Sequence, residues 1–99
     1  MVKCDVRKID EVGRIHLPSN LSVMTLIEKG DKVNLQPVGN LVILHMMTEN
    51  PEEGYRDIKI DELNRVIIPK ELLEKMGWKL RDKINTYYVS EDMLAFELV

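Results

Sequence analysis

Two short segments of this chain set an acid and an arginine four residues apart across a turn. They are Asp10-Glu11-Val12-Gly13-Arg14 and Asp61-Glu62-Leu63-Asn64-Arg65. Asp suits the opening of such a turn, and Gly or Asn suits the position where positive φ is easiest. The arginine that closes each turn has two kinds of chemistry open to it. Its guanidinium carries several donors, so it can tie the carboxylate of its own turn, reach an outside anion, or do both. Outward contact would be with an anion. Arg and Lys neutralise phosphates and release counterions, and Arg also takes guanine O6 and N7 bidentately.

The other reactive residue types are poorly placed for chemistry. His16 and His45 sit on apolar strands without Cys or carboxylate partners at metal-ligand spacing. Cys4 has no identifiable base nearby in sequence and is expected to be packed or simply exposed. As the one cysteine it excludes an internal disulfide and a Cys-rich zinc module, and it fits a reducing cytoplasm. The carboxylates of the two turns have no evident cleft. No P-loop, Rossmann glycine string, nucleophile elbow or paired-histidine zinc motif occurs. The expectation is therefore no enzyme: no catalytic residues, no cofactor and no metal site. Met46-Met47 and Met76 read as core fillers, and Trp78 as packing after a helix.

The two turns belong to a longer internal match. A shift of 51 positions superposes residues 8–38 on residues 59–89 with 11 of 31 identical. The identities include Lys8, Ile9, Asp10, Glu11, Arg14, Pro18, Leu21, Asp31, Lys32 and Asn34 with their counterparts. Two units follow, 1–47 and 55–99, separated by the polar, acidic stretch 48–54 with its Pro and Gly, which reads as a linker.

Each unit reads as β-β-α-β-β. Val2, Cys4 and Val6 alternate with Lys3, Asp5 and Arg7 at the period of a half-buried strand, as do Ile58 and Ile60 in the second unit. Arg14–Leu17 and Arg65–Ile68 are short strands stopped by Pro18 and Pro69, which suit the first turn of a helix. Leu72, Leu73 and Met76 give the second helix an apolar face, Glu71 and Lys75 pair along it, and Gly77 ends it. Leu21 and Met24 mark a weaker first helix, diluted by Ser22 and Thr25. Val33–Leu35 and Ile84–Val89 are strands, and turns at Gly39-Asn40 and Ser90–Asp92 lead into the last strands, Leu41–Met47 and Met93–Val99. A unit of this size buries little core alone, so the two are expected to form one compact pseudo-twofold domain.

The composition of these 99 residues, 44% hydrophobic and 31% charged, is that of a globular chain, and no apolar run is long enough to span a membrane. The first residues alternate charge and hydrophobe, unlike a signal peptide, so a cytoplasmic location is expected. A net charge of −3 excludes a uniformly basic nucleic-acid binder. Its placement matters more than its sum. Residues 1–48 carry 6 basic and 5 acidic groups, 49–54 carry 3 acidic groups, and 55–99 carry 8 basic and 9 acidic. Each unit is thus near neutral, and the excess acid lies between them.

The stretch Val6-Arg7-Lys8-Ile9-Asp10-Glu11-Val12-Gly13-Arg14 through Leu17-Pro18, and its second occurrence from Ile60 to Leu72, resemble the AbrB-type swapped-hairpin family of bacterial and archaeal transcription factors. Glu28-Lys29-Gly30-Asp31-Lys32-Val33 is similar to the family's turn into its third strand. The likeness covers nearly the whole chain, once per unit. It implies a mainly β fold, a swapped-hairpin barrel with short helices, in which both halves come from one polypeptide. It also implies double-stranded DNA as partner. Arg7, Lys8 and Arg14 match the family's contact positions in the first unit, and Lys59 and Arg65 in the second, where Ile58 replaces the counterpart of Arg7. Lys3, Arg56 and Lys70 are added as phosphate contacts. The family's helix arginine pair is absent, with Ser22-Val23 and Leu73-Glu74 in its place. Imperfect palindromes or asymmetric sites are expected, because the halves differ. The alternatives are an antitoxin that binds a toxin, and an oligomerisation module without DNA binding that pairs into a dimer.

Overall fold

The computed structural model describes residues 1–46 and 54–99; the expected linker lies outside the described residues except for its last member, Gly54, which is exposed. Eight strands and two short helices follow in the order β1 (Val2–Lys8), β2 (Arg14–His16), α1 (Leu21–Met24), β3 (Lys32–Val38), β4 (Leu41–His45), β5 (Tyr55–Lys59), β6 (Arg65–Ile67), α2 (Lys70–Met76), β7 (Lys83–Ser90) and β8 (Met93–Leu98). The fold is mainly β, and all strand pairing is antiparallel.

Six strands form one sheet in the order β1-β7-β8-β4-β3-β5, and β2 pairs with β6 in a separate ribbon. The sheet is open, with β1 and β5 as its edges. Hairpins β3-β4 and β7-β8 meet at its centre, where Val42 stands opposite Phe96 and Leu44 opposite Leu94. The outer strands do not pair with their sequence neighbours. β1 pairs with β7, and β5 pairs with β3. In the ribbon Ile15 stands opposite Val66, and both are fully buried.

The core lies between sheet, ribbon and helices. Ile9, Ile15, Leu35, Leu44, Ile60, Val66, Leu72, Ile84 and Phe96 have no exposed surface. Each such side chain contributes about 1.5–3 kcal/mol on burial. Trp78 is buried beside them, while Met46 and Met76 pack partly against the cluster; Met47 lies outside the described residues.

Local chemistry explains most element ends. Gly77 closes α2 with φ of 71°, its N–H donating to the Glu74 carbonyl and that of Trp78 to the Leu73 carbonyl. Thr25 stops α1 after four residues: its backbone is extended, and its hydroxyl donates to the Leu21 carbonyl at 2.8 Å while accepting from Ile27 N–H at 3.0 Å. The prolines stand outside the helices rather than in their first turns. Pro69 immediately precedes α2, where its carbonyl accepts from Leu72 and Leu73 N–H, and Pro18 stands two residues further back from α1. Pro37 is tolerated in β3 because β5 reaches only as far as Tyr55 opposite Leu35.

β1 departs from its simple alternation. A bulge between Lys3 and Asp5 shifts its register against β7, and Val2 and Val6 end 62% and 40% exposed. Ile9, beyond the strand, fills the core position instead. Bulges and charged side chains are common on edge strands, where they oppose pairing with another chain.

Candidate nucleic-acid interface

The two acid-arginine turns share one hydrogen-bond plan. In the first, Asp10 N–H donates to the Arg14 carbonyl at 2.9 Å and Gly13 N–H to the Asp10 carbonyl at 3.1 Å. The Asp10 carboxylate accepts from Val12 N–H at 3.0 Å and Arg14 N–H at 2.8 Å through Oδ1, and from Arg14 Nε at 2.6 Å through Oδ2. In the second, Asp61 Oδ1 accepts from Leu63 and Arg65 N–H, both at 2.9 Å, and Oδ2 accepts from Arg65 Nε at 2.8 Å. Gly13 and Asn64 hold φ of 88° and 62°, the left-handed conformation that these residue types tolerate best.

Electrostatics follow from that plan. Burial pushes both carboxyls up, but hydrogen bonds from the arginine backbone and guanidinium, the Val12 or Leu63 N–H and the arginine charge outweigh it. Asp10 and Asp61 are held below the usual carboxylate value as a result. Nε is the arginine atom engaged in both pairs, which leaves the terminal amino groups of each guanidinium outside the Asp contact. Both arginines are half-buried.

Backbone bonds fix each turn to the other half of the chain. Ile9 N–H donates to the Asp82 carbonyl and Arg81 N–H to the Ile9 carbonyl, at 2.9 and 2.7 Å; Ile60 N–H donates to Asp31 and Gly30 N–H to Ile60, at 2.9 and 2.8 Å. Leu17 N–H donates to the Asn64 carbonyl and Ile68 N–H to the Gly13 carbonyl, at 2.9 and 2.8 Å. The turns are anchored on both sides.

The remaining sequence-predicted residues lie on or beside the edge strands. Lys3, Arg7 and Lys8 are exposed on β1, and Arg56 and Lys59 on β5. Arg7 Nε donates to Asp5 at 2.9 Å, so this arginine too is partly committed. Lys70 is exposed at the start of α2. Lys8 and Arg14 come together, lining one notch of 370 Å³ with Asp10, Glu11 and Arg81. Lys3, lying opposite Tyr87, and Lys70 are not part of that notch.

Three cations escaped the sequence reading. Lys83 stands opposite Lys8, Lys32 stands opposite Lys59, and Arg81 pairs with Glu11 at 2.9 Å across the two halves. The signal for two of them was present, since Asp31-Lys32 and Asp82-Lys83 are identities of the internal match. Only strand pairing brings them beside the turns.

A second feature is apolar. Val12, Ile67, Pro69, Leu73, Trp78 and Leu80 line a hollow of 560 Å³ beside α2, and Val12, Ile67 and Leu80 are about half exposed. Among the described residues no group of three His, Cys, Asp or Glu could hold a metal ion, and no helix is long and apolar enough to cross a membrane.

No family model and no curated protein matches the chain. The structure is similar to the solution structure of PHS018 from Pyrococcus horikoshii, with a TM-score of 0.51 and 22% identity, over 100% of this chain and 92% of that one. The likeness is one of fold.

Proposed function

We propose that this protein is a sequence-specific DNA-binding transcriptional regulator of the AbrB-like type, acting in the cytoplasm. Its two repeats, 1–47 and 55–99, form one domain with a pseudo-twofold relation. The observation that carries this reading is the exchange of outer strands: β1 of the first unit pairs with β7 of the second, and β5 of the second with β3 of the first. Twin acid-arginine turns follow those strands with the same hydrogen bonds. Exchanged outer strands are what a swapped-hairpin architecture calls for. In this reading the β2-β6 ribbon, whose strands follow the two edge strands in sequence, belongs to the same swapped-hairpin arrangement as the open sheet.

In this reading Arg14 and Arg65 serve twice. Nε ties each to its Asp, which holds the guanidinium plane steady, and the terminal amino groups address the duplex. Arg7, Lys8 and Lys59 supply phosphate contacts, with Lys3, Arg56 and Lys70 at the margins. Gel-shift titration of promoter DNA at about 50 mM and about 150 mM salt tests this, because phosphate contacts make affinity fall steeply with salt. Arg14→Ala with Arg65→Ala is expected to weaken binding in a protein still folded by circular dichroism. Unchanged affinity in that variant would remove the turns from the interface.

The apolar hollow beside α2 favours a second reading, an interaction module that pairs with a second chain. Light scattering tests the pairing, which twice the single-chain mass supports and a single-chain mass removes. The gel shift separates the two readings, since a module without DNA binding shifts no duplex.

A further inference from the structure

Both edge strands end on the same unusual arrangement. Lys8, the last residue of β1, stands directly opposite Lys83, the first of β7; Lys59, the last of β5, stands directly opposite Lys32, the first of β3. Directly opposed residues share a face of the sheet with Cβ atoms about 5 Å apart, and like charges there repel. Their strand neighbours Ile9, Ile84, Ile58, Ile60 and Val33 are buried, so the four lysines lie on the outward side, and all four are exposed. None of them has an ion-pair partner among the described residues. A repulsive contact on one edge would be incidental. Here it occurs at both, at matching positions of the two units.

The loop beside the first pair carries a cation that the loop beside the second lacks at the matching position. Arg81, whose N–H donates to the Ile9 carbonyl, joins Lys8 and Arg14 at the notch; Gly30 makes the matching bond to Ile60 and offers no charge. The contact of Arg81 with Glu11 is solvent-exposed, 74% and 80%, so an incoming anion meets little resistance from it. The turn acids correspond, Asp10 and Glu11 at one pair and Asp61 and Glu62 at the other. Arg7 and Lys79 on the first side stand where the second has Ile58 and Glu28, and Lys29 on the second stands where the first has Leu80.

We propose that the pairs Lys8–Lys83 and Lys32–Lys59 are two clamps for backbone phosphates of duplex DNA, and that Arg81 makes the first the stronger. This rests on the DNA reading above. A phosphate oxygen between two ammonium groups replaces their repulsion by attraction to a shared centre. Lys83 and Lys32 thereby enter a contact set that the first strands and turns did not include. The unequal clamps hold one half of the bound site more firmly than the other.

The test is fluorescence anisotropy of a labelled duplex with the full chain, titrated at several potassium chloride concentrations between about 50 and 200 mM. Lys83→Gln and Lys32→Gln are each expected to reduce the slope of log affinity against log salt by about 0.9, the share of one phosphate contact. Lys83→Gln should lose more affinity than Lys32→Gln. Lys83→Arg should keep the slope, and Lys75→Gln, an exposed lysine of α2, should not change it. Thermal midpoints of the Gln variants should equal or exceed that of the wild type, since a repulsion is removed. Equal slopes and affinities in the wild type and the Lys32→Gln/Lys83→Gln double variant would overturn the clamps and leave the DNA reading standing. No duplex binding by the wild type would overturn the DNA reading, and the clamps with it.

Discussion

Removing the Asp61 carboxylate isolates the device that holds the arginines in place. In Asp61→Ala the N–H groups of Leu63 and Arg65 and the Nε of Arg65 all lose their acceptor. Hydrogen bonds to a charged group contribute about 1.5–3 kcal/mol each when buried. The Asp61 side chain is 35% exposed and that of Arg65 19%, so water recovers part of the loss. Replacing a side-chain acceptor of backbone N–H at a helix start costs about 1 kcal/mol, and an exposed ion pair contributes about 0–1 kcal/mol. A half-buried turn that combines both should lose about 2–3 kcal/mol. For a chain of this size that is a fall in melting temperature of about 10–20 °C. Asp61→Asn keeps an acceptor for the two backbone donors and loses the charge, so about half the effect should remain. Urea and thermal unfolding followed by circular dichroism measure both. A shift below about 3 °C in Asp61→Ala would be within reach of a surface substitution, and the turn could then not be what fixes Arg65.

Four further outcomes follow from the packing and the titrating groups. Asp10 and Asp61 titrate lower folded than unfolded, so they release protons on folding. Their contribution is full above the unfolded value near pH 4 and is lost as pH falls through the lower folded values; Asp10→Asn with Asp61→Asn should flatten the acid limb of a melting-temperature profile. Burial pushes the His45 imidazole down against the opposing pull of Asp92 and the Met46 backbone, so stability should also fall as pH drops below about 6.5, and His45→Gln should remove that step. Gly77→Ala meets no atom within 4 Å but must hold φ of 71°, so calorimetry should record a loss of about 1 kcal/mol from backbone strain alone. Phe96→Ala, at the centre of the sheet, should cost about 3–5 kcal/mol; a loss under about 1 kcal/mol in denaturant titration would contradict the core described.

Much of the local structure was legible because it is written in neighbouring residues. Asp61 and Asn64 specify a turn by themselves, and Gly77 marks the end of α2 whatever lies around it. The tie between Asp10 and Arg14 was one of two roles the spacing allowed, and turn geometry decides that it forms through Nε. What stayed hidden depends on partners far apart in the chain. Nothing near Val6 announces that β1 is an edge strand with a bulge, which leaves Val6 exposed and gives the core position to Ile9. Lys83 reads as an ordinary strand-opening lysine until β7 brings it opposite Lys8. Arg81 likewise meets Glu11 only because β1 crosses to the other half. Pairing over such distances is selected by the whole core, in which Val42 and Leu44 stand opposite Phe96 and Leu94.

The DNA reading meets its most direct test in a selection of bound sequences from a random duplex pool by the wild-type chain at moderate salt. It predicts retention of duplex and enrichment of one short site, an imperfect palindrome or an asymmetric element, in keeping with two similar but unequal halves. A pool that remains random after repeated rounds, or duplex that is not retained even at about 50 mM salt, would contradict it.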